Sequence, residues 1–119
     1  MTSVEKYVPD IKKYTAAVDE EAVAGIVTHL GIALRNRDAS FVASTDPEEL
    51  KRVRESWLKK KLGLKESDAA LDGAIHSVME KMKAVRMKER VTVYYLLAEH
   101  FRKLASLKKA DAAHEKKIA

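Results

Sequence analysis

His76 and Glu80 stand four residues apart, and on a helix that spacing makes them neighbours on one face, with Asp72 the obvious third group. Histidine and carboxylate are metal-ligand types, but a zinc-type centre needs a closed set of four ligands, or three with an open position. Such a row along a polar helix face is better read as solvated side-chain pairs. The other histidines, His29, His100 and His114, add no pair at the i, i+4 spacing. His100 beside Glu99 would be an acid–base pair only in a cleft that gathered further partners, because adjacent helical residues point in different directions. The chain has no Cys, which removes thiolate zinc sites, disulfide frameworks and a thiol nucleophile. It has no G-x-S-x-G elbow and no H-E-x-x-H, and none of its four Gly sits in a Walker or dinucleotide pattern. The sequence therefore assigns no catalytic residue, metal or cofactor.

Positive charge is the stronger signal. The first fifty residues hold five basic and nine acidic side chains, a net of −4. Of the totals of 23 and 18, the rest of the chain holds 18 basic and 9 acidic, a net of +9. Lys51, Arg52, Arg54, Lys59, Lys60 and Lys61 crowd one predicted helix, and Lys81, Lys83, Arg86, Lys88 and Arg90 crowd a later bend. Converging on one surface, these eleven could track phosphates while Trp57 or a tyrosine stacked a base. Against that, Trp57 lies on an apolar stripe, where a core anchor is expected. Tyr94 and Tyr95 fall in the most apolar helix, where burial with satisfied hydroxyls is expected. Charge runs on helices usually only solvate, and no recognised nucleic-acid motif is present.

The elements that would position these residues are helical. Four Gly and two Pro in 119 residues are too few breakers for the turns of an all-β sandwich. Val4, Tyr7, Val8, Ile11, Tyr14 and Val18 predict a first helix over 4–18, either starting near Pro9 or kinked there. Asp19 caps a second over 20–34, apolar nearly all round and so expected to be central, with small residues permitting close approach. Asp46, Pro47 and Glu49 form a capping-box start for a third, which runs through Val53, Trp57 and Leu58 to Leu62 and stops at Gly63, with Leu64 folding back. Ser67 or Asp68 starts a fourth, whose stripe is Leu71, Ala74, Ile75, Val78, Met79 and Met82. Extending that stripe would bury Arg86 and Glu89, so a bend is placed within KAVRMKER. VTVYYLLA alone suits a strand. Tyr94, Leu97, Ala98, Phe101 and Leu104 keep helical spacing, which favours a fifth helix over 89–107.

These elements make one all-α domain over 1–108, a compact bundle of about five helices, followed by a charged tail over 109–119. At 46% hydrophobic and 34% charged residues the chain is globular with extensive solvated faces. MTSVEKYVPD lacks the apolar region of a secretory signal, and no stretch approaches a membrane span of about 18 apolar residues. A cytoplasmic protein is expected, and the lack of Cys suits a reducing compartment.

The order RDASFVASTDPEEL, LKKKLGL, LDGAI and VYYLLAEHF, over roughly residues 20–104, resembles a small bacterial family known as domain of unknown function 2853. The resemblance implies a compact all-helical fold likened to an EF-hand-type array, and it implies no activity. MEKMKAVRMKER departs from the polar, glycine-containing link expected between the last two helices. The EF-hand likeness invites a calcium test. Asn36, Asp38 and Ser40 suit the first ligand positions, but Phe41 stands where Gly is needed and Pro47 where the bidentate Glu is needed. Asp38 and Ser40 are therefore expected to be turn formers.

Three functions follow in order. The leading one is a non-enzymatic module for a protein partner or for self-association. The second is accessory nucleic-acid binding through residues 51–90. The third is an enzyme with an unrecognised site, which needs a concave pocket lined by His100, Glu99 or His76.

Overall fold

The computed structural model describes residues 2–35 and 39–107. Along the chain run α1 (Thr2–Ile11), α2 (Glu20–Leu30) with a 3-10 turn Gly31–Arg35, β1 (Phe41–Val42) and α3 (Pro47–Arg52). A π-helical segment (Val53–Lys61), α4 (Asp68–Lys81), β2 (Lys88–Glu89) and α5 (Arg90–His100) complete it. Among the described residues, five α-helices and a two-stranded ladder bear out the mostly helical single domain. His114 and the tail 109–119 lie outside the described residues.

α5 is the centre of the molecule. Residues 90–98 are all buried, because after Arg90 the run VTVYYLLA carries apolar or aromatic side chains on every side but for Thr92, and a helix of that kind must be surrounded. It packs against α1, α2, α4, both strands and the π segment. The second helix, expected to be central, instead buries one side through Ala22, Val23, Gly25 and Ile26 and turns Glu20, Glu21 and Thr28 to water. Its small residues do permit a close approach. A Cβ on Gly25 would lie 3.3 Å from Leu107 Cβ, in a helical turn over 104–107. α5 itself ends at His100, short of the expected 107, where Arg102 takes a left-handed φ of 58°.

α1 begins before Pro9 and ends two residues after it, so the proline sits in the last turn of a ten-residue helix rather than starting or kinking a longer one. Pro9 has no N–H to continue the bonding, and Tyr14 and Val18 reach the core from the following turn and loop.

The third helix starts as its residues predict, with Pro47 at the first position and Asp46 accepting from the Glu48 N–H at 3.0 Å. It does not remain α-helical. From Val53 the winding widens, and the Leu62 N–H reaches Trp57 O at 2.9 Å, five residues back. The buried positions explain the change. Val53 and Leu62 are nine residues apart, which is two and a half α-turns at about 3.6 residues per turn and would set them on opposite sides. The wider winding returns Val53, Trp57, Leu58 and Leu62 to one buried face. Gly63 then takes φ 69°, and the Leu64 N–H closes back on Leu58 O at 3.0 Å, the expected left-handed stop.

Ser67 caps α4 through the Ala70 N–H at 3.2 Å, and the expected stripe is buried apart from half-buried Met79. β1 and β2 pair antiparallel, Phe41 with Glu89 and Val42 with Lys88. Thus α2–β1–α3 and α4–β2–α5 are two helix–loop–helix units joined through their loops.

Candidate functional site

The paired loops are held by Arg90, a residue the sequence offered as a surface cation. It is 7% exposed. Its Nε donates to Ala39 O at 2.6 Å, and Nη2 donates to Phe41 O at 3.2 Å and to Glu49 Oε1 at 2.6 Å. Nη1 lies 3.4 Å from the Tyr94 hydroxyl, and the Arg90 N–H donates to Ser40 O at 2.8 Å. Glu49, expected to close the capping box on Asp46, turns inward to this guanidinium and also accepts from Arg52 Nη1 at 3.2 Å. A charge-assisted bond in a buried setting favours that pairing over one to a backbone N–H at the surface. Lys88 is buried too, with Nζ donating to Val85 O at 2.6 Å. Arg90 ties the two loops together and Lys88 braces its own loop, so neither is free to meet a phosphate.

Beyond Val42 and Lys88 the ladder stops and the two loops diverge. Ala43 O accepts from the Asp46 N–H at 3.1 Å, and Met82 O from the Val85 N–H at 2.9 Å, so each loop ends in a β-turn. Between the turns lies a groove of about 590 Å³ lined by residues 41–45 and 83–88. Lys83 and Arg86 are exposed on one rim, and neither has an ion-pair partner among the described residues. Ser44 and Thr45 supply hydroxyls on the other. Phe41, Val42 and Val85 add apolar surface, and Met87 stands 51% exposed, unusual for its type in this chain. Among the described residues no carboxylate lines the groove.

The remaining candidate cations do not join this groove. Arg54 meets both oxygens of Asp72 at 3.1 Å and Glu55 at 2.8 Å, while Lys59 meets Asp68 at 2.7 Å and Glu55 at 3.1 Å. Hydrogen bonds from these cations hold the Glu55 and Asp68 carboxyls below their usual range, Arg54 acting most on Glu55 and Lys59 on Asp68. Lys51 lines a second hollow of about 400 Å³ between α3 and α4, and Lys81 a third of about 100 Å³ between α4 and α5. Lys60 and Lys61 are exposed at the end of the π segment.

The proposed base-stacking rings are buried. Trp57 is 0% exposed, its indole N–H donates to Tyr94 O at 3.2 Å, and its ring stacks on Tyr94 with centroids 4.4 Å apart. The buried Tyr95 hydroxyl accepts from the Asp19 N–H at 2.8 Å.

The acid–base candidates are also dispersed. Asp72, the third group beside His76 and Glu80, is taken by Arg54. Glu99 accepts from the Thr15 hydroxyl at 2.8 Å, while the His100 ring meets Phe101 edge-on. The hollow they share is well below the ~300 Å³ at which small-molecule sites begin. His76 lines the larger hollow between α3 and α4, whose Arg54 and Asp72 neutralise one another. Among the described residues no three His, Asp or Glu could hold a metal, and no helix is long and apolar enough to cross a membrane. Asn36 and Asp38 of the calcium test lie outside the described residues. Phe41 is a strand residue, and Pro47 is the first residue of α3.

Sequence reasoning missed Glu49 as the partner of Arg90 and Met87 as an exposed apolar side chain. The only sequence signal at the groove was the broken stripe at KAVRMKER. Residues 6–105 match the model of a family described as a protein of unknown function (DUF2853), and no curated protein matches the chain.

Proposed function

The chain belongs to the DUF2853 family, whose description carries no function, and from the site we propose that it is a non-enzymatic interaction module acting through the groove between its two turns. One observation carries this reading: among the described residues the groove is lined by free cations, a half-exposed methionine and no carboxylate, and the loops on its two sides are tied by bonds from the buried Arg90. A preformed, carboxylate-free recess favours binding because little ordering is left to be done on association. Nothing in the recess pairs a nucleophile with a base. Nucleic-acid binding is the weaker reading, since the cations left free line three separate hollows or stand at the end of the π segment, and the stacking rings are buried. A cytoplasmic setting belongs to the same proposal, with the lack of Cys as its support, and a bacterial one rests on the sequence resemblance alone.

The test is capture of native partners together with light scattering, for the natural chain and for a Lys83→Glu/Arg86→Glu variant. A partner or a self-associated form lost in the variant supports the reading. A strict monomer that captures nothing, or an unchanged set of partners, contradicts it.

A further inference from the structure

We propose that the groove between the turns Ala43–Asp46 and Met82–Val85 takes an extended, acidic segment of another protein, a deepening that rests on the interaction reading above. Charge complementarity carries the assignment. Among the described residues no acidic side chain lines this recess, and Lys83 and Arg86 stand on its rim without ion-pair partners. The guanidinium of Arg86 offers a planar fork of donors suited to a carboxylate, and the ammonium of Lys83 adds a point charge three residues away. Opposite them, Ser44 and Thr45 are the central residues of a turn, and their N–H groups have no acceptor among the described residues. The backbone and hydroxyls there are free to bond the main chain of a bound segment.

The apolar surface decides between kinds of anion. Met87 and the half-buried Phe41 and Val85 can receive an aliphatic side chain, and methionine adapts to varied shapes. A phosphate backbone leaves that surface unused. A single strand would also look for several aromatic platforms, and the groove offers one ring, the half-buried Phe41. The volume of about 590 Å³ fits a few extended residues rather than a duplex or a whole helix.

The experiment uses the full chain, labelled with 15N, and a short synthetic peptide alternating Glu and Val. A Gln–Val peptide of the same length and a single-stranded oligonucleotide are the competitors. Binding of the Glu–Val peptide should shift the amides of residues 43–45 and 83–88, weaken with added salt, and fall about tenfold or more in Lys83→Glu/Arg86→Glu. Met87→Gln should weaken it as well, and Lys60→Glu/Lys61→Glu, an equal charge change elsewhere, should leave it nearly unaltered. All five positions are exposed, so the variants should keep the melting profile of the natural chain.

Shifts confined to another surface, equal losses in the two double variants, or equal binding of the Gln–Val peptide would overturn the acidic-segment assignment. Stronger binding of the oligonucleotide at the same amides would overturn it in favour of phosphate. If the peptide fails while native partners are still lost in Lys83→Glu/Arg86→Glu, the acidic segment is wrong and the interaction reading survives. If both fail, both readings fall.

Discussion

Glu49 Oε1 lies 2.6 Å from Arg90 Nη2, and both side chains are buried although 41 residues separate them. The pair joins α3 to the start of α5, and the same guanidinium holds the carbonyls of Ala39 and Phe41. The loop rim that carries Ser44 and Thr45 is thereby tied to the central helix. Removing one member of a buried pair strands the other charge. Glu49→Leu should lower the unfolding free energy by about 3–5 kcal/mol. Urea unfolding checks this, and a loss within about 0.5 kcal/mol, as at an ordinary surface site, would show the pair to be incidental.

Glu89 tests the surroundings of the second strand. Burial raises its carboxyl above the usual range, the nearby Asp10 raises it further, and Lys6 and Lys13 partly offset this. A carboxyl whose folded pKa is raised favours the neutral form. Its stability contribution is full below the unfolded value near 4.3 and is lost as pH rises through the folded value. Glu89→Gln should therefore unfold at higher urea than the natural chain at pH 7, with the two converging below about pH 4. A variant that is less stable at pH 7 would reverse the sign.

His29 and the only tryptophan offer an optical readout. Although much of His29 meets solvent, its ring lies 5.2 Å from that of Trp57, and burial, followed by the charge of Lys61, lowers its pKa. Trp57 emission should change as pH falls through a midpoint below about 6.5, and His29→Gln should abolish the step. Lys61→Gln should move the midpoint upward. Because the folded state disfavours the imidazolium, stability should decline as pH falls from about 6.5 through the lowered value. An emission profile identical in His29→Gln would remove the coupling.

Gly63 sits at φ 69° with open space where a Cβ would point, so the backbone conformation alone is at stake. Gly63→Ala should destabilise by about 1 kcal/mol, with Gly63→Asn in between, as measured by thermal unfolding. Equal stability of all three would mean that the stop is not left-handed in solution.

The readable parts of this fold were local. Asp19, Asp46 and Ser67 mark helix starts because each cap contacts N–H groups within three residues, and Gly63 marks a stop for a similar reason. The burial of Trp57, Tyr94 and Tyr95 was also readable from their apolar stripes. What escaped was non-local. Two-residue strands have no periodicity to detect, and their pairing joins residues 41 and 89. Arg90 read as surface because charge usually means exposure, and only a carboxylate brought from residue 49 makes its burial tolerable. The wide winding after Val53 escaped because the 3.6-residue template was imposed on positions spaced for a looser turn. The site was readable only as a place where a stripe fails, with Lys83 and Arg86 inside it.

The most direct test of the groove as the working surface is photo-cross-linking in cells. A photo-reactive residue is placed at Met87, within the groove, or at His76, in the hollow between α3 and α4. A discrete adduct from position 87 that is absent from position 76 is the expected result, and it should disappear when Lys83→Glu/Arg86→Glu is added. An adduct from position 76 alone, or adducts at 87 indifferent to those charges, would contradict it.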